Sequence, residues 1–147
     1  MKRKATSIWK GNGKEGKGHL SGPSGVLDET PYSTKARFEN EDGKMGTNPE
    51  ELLAAAHAGC FNMALSFQVA NKGFDADELR TVATVTIDKD EASDDFSVKE
   101  IHLALHGKVK GMSRDEFEVV ARIAKENCPI SKALKAVSIS MDVEFEG

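Results

Sequence analysis

The sequence predicts an α+β fold in which one long central helix packs on an antiparallel β-sheet. Three observations lead there. Residues 47–70 (TNPEELLAAAHAGCFNMALSFQVA) form the longest apolar stretch, with helix signals at both ends. Strand-like segments come in runs on either side of it, not in regular β-α-β alternation. Residues 137–146 alternate without a break, with Val137, Ile139, Met141, Val143 and Phe145 on one face and Ser138, Ser140, Asp142 and Glu144 on the other.

Taken in order, residues 4–10 read as a first strand, Gly11-Asn12-Gly13 as a turn, and residues 17–21 as the returning arm of a hairpin. Gly11, Gly13 and Gly16 match G-x-G-x-x-G, but that dinucleotide fingerprint needs a helix at once, and a short polar strand follows instead. They read as turn glycines. Residues 22–30 are loop-like, and residues 32–39 (YSTKARFE) can form a third strand, with Arg37 as a solvated strand residue. A polar loop over residues 40–46 leads into the central helix. Asn48 suits the N-cap, Pro49 the first helical position, and Glu51 completes a capping box; Asn71 and Gly73 supply the stop.

Leu53, Ala56, Cys60, Ala64 and Phe67 follow three- and four-residue steps along one face of that helix, and the opposite side is rich in Ala and Met. A helix with so little polar surface should be buried nearly all round. Residues 79–89 and 96–109 are the next strands, with Ala83, Val85 and Ile87, then Ile101, Leu103 and Leu105, facing inward. Phe96 and Val98 have the wrong parity for that face, which predicts a bulge near Lys99-Glu100. His102 and His106 point outward. A second helix over residues 112–126 has Ser113 and Glu116 as its capping box and Phe117, Val120, Ala121 and Ala124 as its buried stripe. Cys128-Pro129 opens a short third helical segment, reaching about Lys135.

The chain has 147 residues, 39% hydrophobic and 30% charged, which suits one soluble domain over residues 1–147. Its net charge of −4, without a basic patch interleaved with aromatics, speaks against nucleic acid as a partner. Met1-Lys2-Arg3-Lys4 is basic, yet no apolar run follows it as in a secretory signal. His57, Asn62 and Gln68 interrupt the long helix too much for a membrane span. The expected location is cytoplasmic. One small sheet covers only one side of an apolar helix, so a second copy of the chain should cover the rest, as a homodimer.

Two cysteines carry the chemical interest. In a reducing compartment a pair is more often catalytic or redox-sensing than structural. Cys60 and Cys128 are 68 residues apart, so only the fold can join them. Cys128 precedes a helix start, whose free amides favour a thiolate. Cys60 lies mid-helix and needs a nearby cation, because burial alone raises a thiol pKa. Cys60, on the buried side of the central helix, can also be a plain core residue.

Thr47-Asn48-Pro49-Glu50-Glu51-Leu52-Leu53, Ala56-His57-Ala58-Gly59-Cys60-Phe61 and Asn127-Cys128-Pro129-Ile130-Ser131 together resemble the OsmC family of osmotically induced proteins, relatives of the organic hydroperoxide resistance (Ohr) proteins. Gly25-Val26-Leu27, Pro31-Tyr32 and Arg37-Phe38 look like OsmC proper. The resemblance implies an intertwined homodimer with two central helices and sites at the subunit boundary. It also implies a thiol peroxidase acting on organic hydroperoxides and, less well, on hydrogen peroxide. By the match, Cys60 is peroxidatic, Cys128 resolving, and Arg37 and Glu50 flank the reactive thiol. The Ohr branch takes its arginine from nearer the N-terminus, where this chain offers only Arg3. A dithiol, by resemblance of lipoyl type, would reset the pair. No cofactor is called for.

Glu50 and Cys60 are ten residues apart on one helix, about 15 Å along its axis. Glu50 therefore cannot touch the Cys60 thiol of its own chain; if it orients Arg37 at the reactive thiol, the simplest arrangement takes Glu50, with or without Arg37, from the partner subunit. Other readings stay open. His57 and Cys60 share a helix edge and with Cys128 offer three metal ligands, one short of a structural zinc site. His57 can instead serve Cys60 as a base, or simply fill the core or an interface. Finally, the chain can be a non-enzymatic dimeric redox sensor or small-ligand binder.

Overall fold

The computed structural model describes residues 1–40 and 42–147. Of the loop predicted over residues 40–46, Glu41 lies outside the described residues. The chain forms two compact units, Met1–Leu52 and Leu53–Gly147.

In the first unit, β1 (Thr6–Lys10), β2 (Lys17–Ser21) and β3 (Thr30–Ser33) make an antiparallel sheet in that order. The glycine-rich segment between β1 and β2 is a turn. Asn12 Oδ1 accepts from the amides of Lys14 and Glu15, and Gly16 N–H donates to the Asn12 carbonyl. Gly18 is needed where it stands, because a Cβ there would lie 2.5 Å from the Tyr32 ring. That ring in turn packs on Trp9, centroids 5.3 Å apart.

The third strand is shorter than the predicted 32–39. It ends at Ser33, whose hydroxyl accepts from the Ala36 amide at 3.0 Å and caps a helical turn, α1 (Thr34–Phe38). A serine side chain competes well for a backbone donor, and here it wins over the strand propensity of its neighbours. Arg37 is thus a helical residue, not a strand residue.

The long helix α2 (Pro49–Ala70) begins as its sequence signals say, with Asn48 Oδ1 accepting from the Glu51 amide at 2.8 Å. The capping box is not the predicted one: the Glu51 carboxylate takes the Thr47 hydroxyl at 2.8 Å. Gly73, at φ +84°, follows the helix end in the left-handed conformation that favours glycine.

The second unit holds most of α2 and a sheet ordered β4 (Glu78–Lys89), β5 (Phe96–Lys108), β6 (Ser138–Glu146). The sheet is mixed, not wholly antiparallel. β4 and β5 pair antiparallel, but β6 lies parallel to β5 because α3 (Arg114–Asn127) and α4 (Pro129–Ala133) carry the chain back between them. The predicted bulge is present. Thr86 pairs with Glu100 and Ile87 with Val98, leaving Lys99 as the extra residue. That one-residue slip brings Val98 onto the face of Ile101, Leu103 and Leu105. β5, the middle strand, supplies those three to the core, and α3 adds Phe117, Val120, Ala121 and Ala124 behind a complete Ser113/Glu116 capping box.

The buried face of α2 differs from the predicted stripe. His57, Phe61, Leu65 and Val69 are buried, Leu53, Cys60 and Ala64 flank them, and Ala56 and Phe67 are exposed. Within one chain the helix is therefore not buried all round: Met63 and Phe67 remain 65% and 67% exposed. By length and composition alone α2 would suffice to cross a membrane.

Candidate functional site

The two cysteines meet. Cys128 stands at the junction of α3 and α4. Its N–H closes the last turn of α3 on the Ala124 carbonyl, and its own carbonyl accepts from Lys132 in α4. This double role fixes its position, and it is fully buried among the core residues. Cys60 is half-buried on the edge of α2. The Cys128 and Cys60 sulfurs are in hydrogen-bond contact at 2.9 Å, and both residues are free thiols.

Burial and the adjacent Cys128 push the Cys60 thiol above the ordinary thiol range, and the backbone amide of Ile130 pulls the other way. As the second residue of α4, Ile130 has an amide outside the helix ladder, so it can act on sulfur. The sequence assigned the help of this helix start to Cys128; the amide of Ile130 acts on Cys60 instead.

Next to the cysteines lies a second pairing between the same two helices. His57 Nε2 and Ser131 Oγ are 2.8 Å apart, and both residues are buried. His57 Nδ1 is also buried and has no partner among the described residues. Desolvation holds the His57 pKa below the usual 6.5, which favours the neutral ring. His57 shares an edge with Cys60, as its spacing implied, but its observed partner is Ser131. Ser131 was visible in the sequence only as part of a motif; its spacing of three from Cys128, matching that of His57 from Cys60, was the available signal. Among the described residues no group of three or more His, Cys, Asp or Glu is placed to hold a metal ion.

Arg37 and Glu50, both in the first unit, face each other directly. Arg37 Nε–H donates to Glu50 Oε2 at 3.2 Å, and Nη2–H to Oε1 at 2.6 Å. This is the two-pronged geometry that only a guanidinium gives a carboxylate. The shift of Arg37 from strand to helical turn is what presents it to the first turn of α2. His102 and His106, on the other face of the second sheet, are only half solvated: His102 contacts Ser140 and Asp142, and His106 contacts Glu146.

The OsmC-like protein family matches residues 41–144 of the chain. The chain belongs to the OsmC family. It is 41% identical to peroxiredoxin OsmC of Escherichia coli (strain K12) over 144 residues, covering 98% of this chain and 96% of that one. It is 33% identical to the organic hydroperoxide resistance protein OhrB of Bacillus subtilis (strain 168) over 129 residues, 88% of each. The crystal structure of that OhrB superposes with a TM-score of 0.71 at 28% identity, over 96% of this chain and 98% of the other. An OsmC-like protein from Mycoplasma pneumoniae shares the fold at a TM-score of 0.76 and 14% identity, over 100% and 99% of the two chains.

Proposed function

We propose that this OsmC-family protein reduces organic hydroperoxides through a Cys60 sulfenic acid and a Cys60–Cys128 disulfide. The class of activity, cysteine-based peroxidase, follows from the family and from relatives named peroxiredoxin and organic hydroperoxide resistance protein. The observation that carries the mechanism is the 2.9 Å contact between two thiols far apart in sequence.

The Cys60 thiolate attacks one peroxide oxygen. The S–O bond forms as the O–O bond breaks, and the departing alkoxide takes a proton to leave as alcohol. The Cys128 thiol then attacks the sulfenic sulfur; the S–S bond forms, hydroxide leaves, and with the thiol proton it becomes water. An external dithiol, of lipoyl type by the family resemblance, exchanges with the disulfide and restores both thiols. The net change turns one hydroperoxide and one dithiol into alcohol, water and a disulfide.

Within its own unit Cys60 is held up in pKa, so fast attack requires a cation. Arg37, aimed by Glu50, fits that role through the family match. The length of α2 puts Glu50 about 15 Å from Cys60 in the same chain, so the pair serves the thiol of a partner subunit. The exposed apolar residues Met63 and Phe67 on α2 support a homodimer in which a second copy covers them. In this reading residues 1–147 act as one domain, in the cytoplasm, with α2 as an interface helix and not a membrane span. Apolar surroundings of Cys60 favour bulky alkyl or lipid hydroperoxides over hydrogen peroxide.

The deciding assay supplies excess cumene hydroperoxide and dithiol. Several equivalents consumed per subunit mean turnover. A single equivalent, with the disulfide formed once, means a sensor and ends the enzymatic reading.

A further inference from the structure

Cys60 and Cys128 are not the only residues that join α2 to α4. His57 precedes Cys60 by three residues, and Ser131 follows Cys128 by three, so the two pairs match in opposite order along the helices. On an α-helix residues three apart share a face. The cysteine contact and the His57–Ser131 hydrogen bond are therefore neighbouring rungs between the same two elements. α4 is only five residues long and has little intrinsic hold on its own position. Something must keep it seated when Cys60 is oxidised and the two sulfurs have to close from 2.9 Å to a bond of about 2.05 Å.

We propose that His57 and Ser131 are positioning residues for the resolving step: their buried hydrogen bond holds the Cys128 turn against α2 so that the thiol reaches the Cys60 sulfenic sulfur before a second hydroperoxide does. The proposal rests on the peroxidase reading for its biological meaning, but its geometric content is independent of it.

The tautomer supports the assignment. A buried N–H without an acceptor is rarer in proteins than a buried acceptor without a donor. An unpartnered Nδ1 favours the tautomer with the proton on Nε2, shared with Ser131 Oγ, and a bare lone pair on Nδ1. A buried histidine with one unpaired nitrogen costs stability. A leucine or phenylalanine would fill the same place without that cost, so packing alone does not account for it. The hydrogen bond to Ser131 does.

The competing reaction makes the role measurable. If Cys128 attacks, the S–O bond of the sulfenic acid breaks, S–S forms and water leaves. If a second hydroperoxide arrives first, its O–O bond breaks, alcohol leaves and the sulfur is carried to the sulfinic acid, beyond the reach of thiols. The ratio of disulfide to sulfinic product reports resolution relative to overoxidation, whatever the speed of the first step; the diamide arm below reads disulfide formation without overoxidation.

The test uses the full chain with Ser131→Ala, Ser131→Thr and the double variant His57→Phe/Ser131→Ala, in which no polar group of the pair is left buried. Intact-mass spectrometry after cumene hydroperoxide should show the disulfide-to-sulfinic ratio lowered about five- to tenfold in Ser131→Ala and in the double variant, with Ser131→Thr closer to wild type. A second arm replaces the peroxide with diamide, which oxidises dithiols directly, and should slow disulfide formation by a similar factor in the same variants. A purely structural role would lower melting temperature and leave both readouts unmoved. Disulfide formation at the wild-type rate with diamide, in Ser131→Ala and in the double variant alike, overturns the positioning role. A wild-type chain that forms the disulfide with diamide but not with hydroperoxide overturns the peroxidase reading instead, and the diamide comparison still decides the positioning.

Discussion

The Cys128 thiol lies 2.9 Å from the Cys60 sulfur, although 68 residues separate them in the chain. One is the hinge residue between two helices and the other is on the edge of a third. Their settings are unequal, as the tasks proposed for them require. Cys60 is half-buried and so partly open to solvent, whereas Cys128 has no exposed surface, which fits the proposed attack of Cys128 on an oxidised Cys60.

That asymmetry predicts two different failures. Cys60→Ser should abolish hydroperoxide consumption, by at least about 10³-fold, since it removes the nucleophile. Cys128→Ser should still consume hydroperoxide in a first step, then stall as sulfenic or sulfinic acid and lose dithiol-dependent turnover. Single-turnover consumption with mass analysis of Cys60 separates the cases.

The Cys60 pKa gives a second prediction. Burial raises it, then the neighbouring Cys128, and the Ile130 amide opposes them. Replacing Cys128 by Ala removes one raising influence and leaves the amide. The pH profile of Cys60 alkylation by iodoacetamide should therefore shift toward lower pH in Cys128→Ala than in wild type. A shift toward higher pH would mean that Cys128 stabilises the thiolate, contrary to this environment.

His57 predicts a pH dependence of stability. Burial lowers its pKa, so the unfolded chain takes up the proton first as pH falls. The stability due to the neutral ring is present above the ordinary histidine value of 6.5 and is lost as pH drops from there through the folded value. Melting temperatures of wild type should fall more steeply below that value than those of His57→Phe, with parallel curves above it.

Much of this architecture was legible in the sequence because local signals agreed with the final packing. The capping box of α3, its buried stripe, the bulge at Lys99 and the Asn48 cap of α2 all follow from short-range rules. The misses have two causes, one local and the rest tertiary. Residues 32–39 have strand-like composition, but one hydroxyl, Ser33, captures the Ala36 amide and starts a helical turn. On α2 both faces are apolar, so periodicity cannot choose between the Cys60 side and the Phe61 side; packing against β5 and α3 chooses. β6 alternates cleanly whichever way it runs, and its parallel pairing depends on the helical return from β5. The Ser131 partner of His57 is a tertiary contact that no local rule contains.

Gly107 and Phe117 make a stability prediction independent of the chemistry. A Cβ on Gly107 would fall 2.0 Å from the Phe117 ring, which is itself stacked on Phe145 with centroids 4.6 Å apart. Phe117 is fully buried and cannot swing aside. Gly107→Ala should cost about 3 kcal/mol by urea unfolding, and Gly107→Ala with Phe117→Leu should regain part of it.

The Arg37–Glu50 pair and the exposed face of α2 can be tested together. Arg37 is one-third exposed, so breaking its ion pair should cost less than about 1 kcal/mol of stability. A loss of activity in Glu50→Ala then reports on the site and not on folding. If one subunit's Arg37–Glu50 serves the other's Cys60, mixing Cys60→Ser chains with Glu50→Ala chains rebuilds one complete site per heterodimer. Activity should rise well above that of either variant alone. Phe67→Glu, which places a charge on the face proposed to meet the second copy, should shift sedimentation toward monomer. In the mixture it should abolish the recovered activity. Fully active wild-type monomers, or no recovery in heterodimers that demonstrably form, would remove the shared site. Activation of Cys60 would then have to come from within one chain.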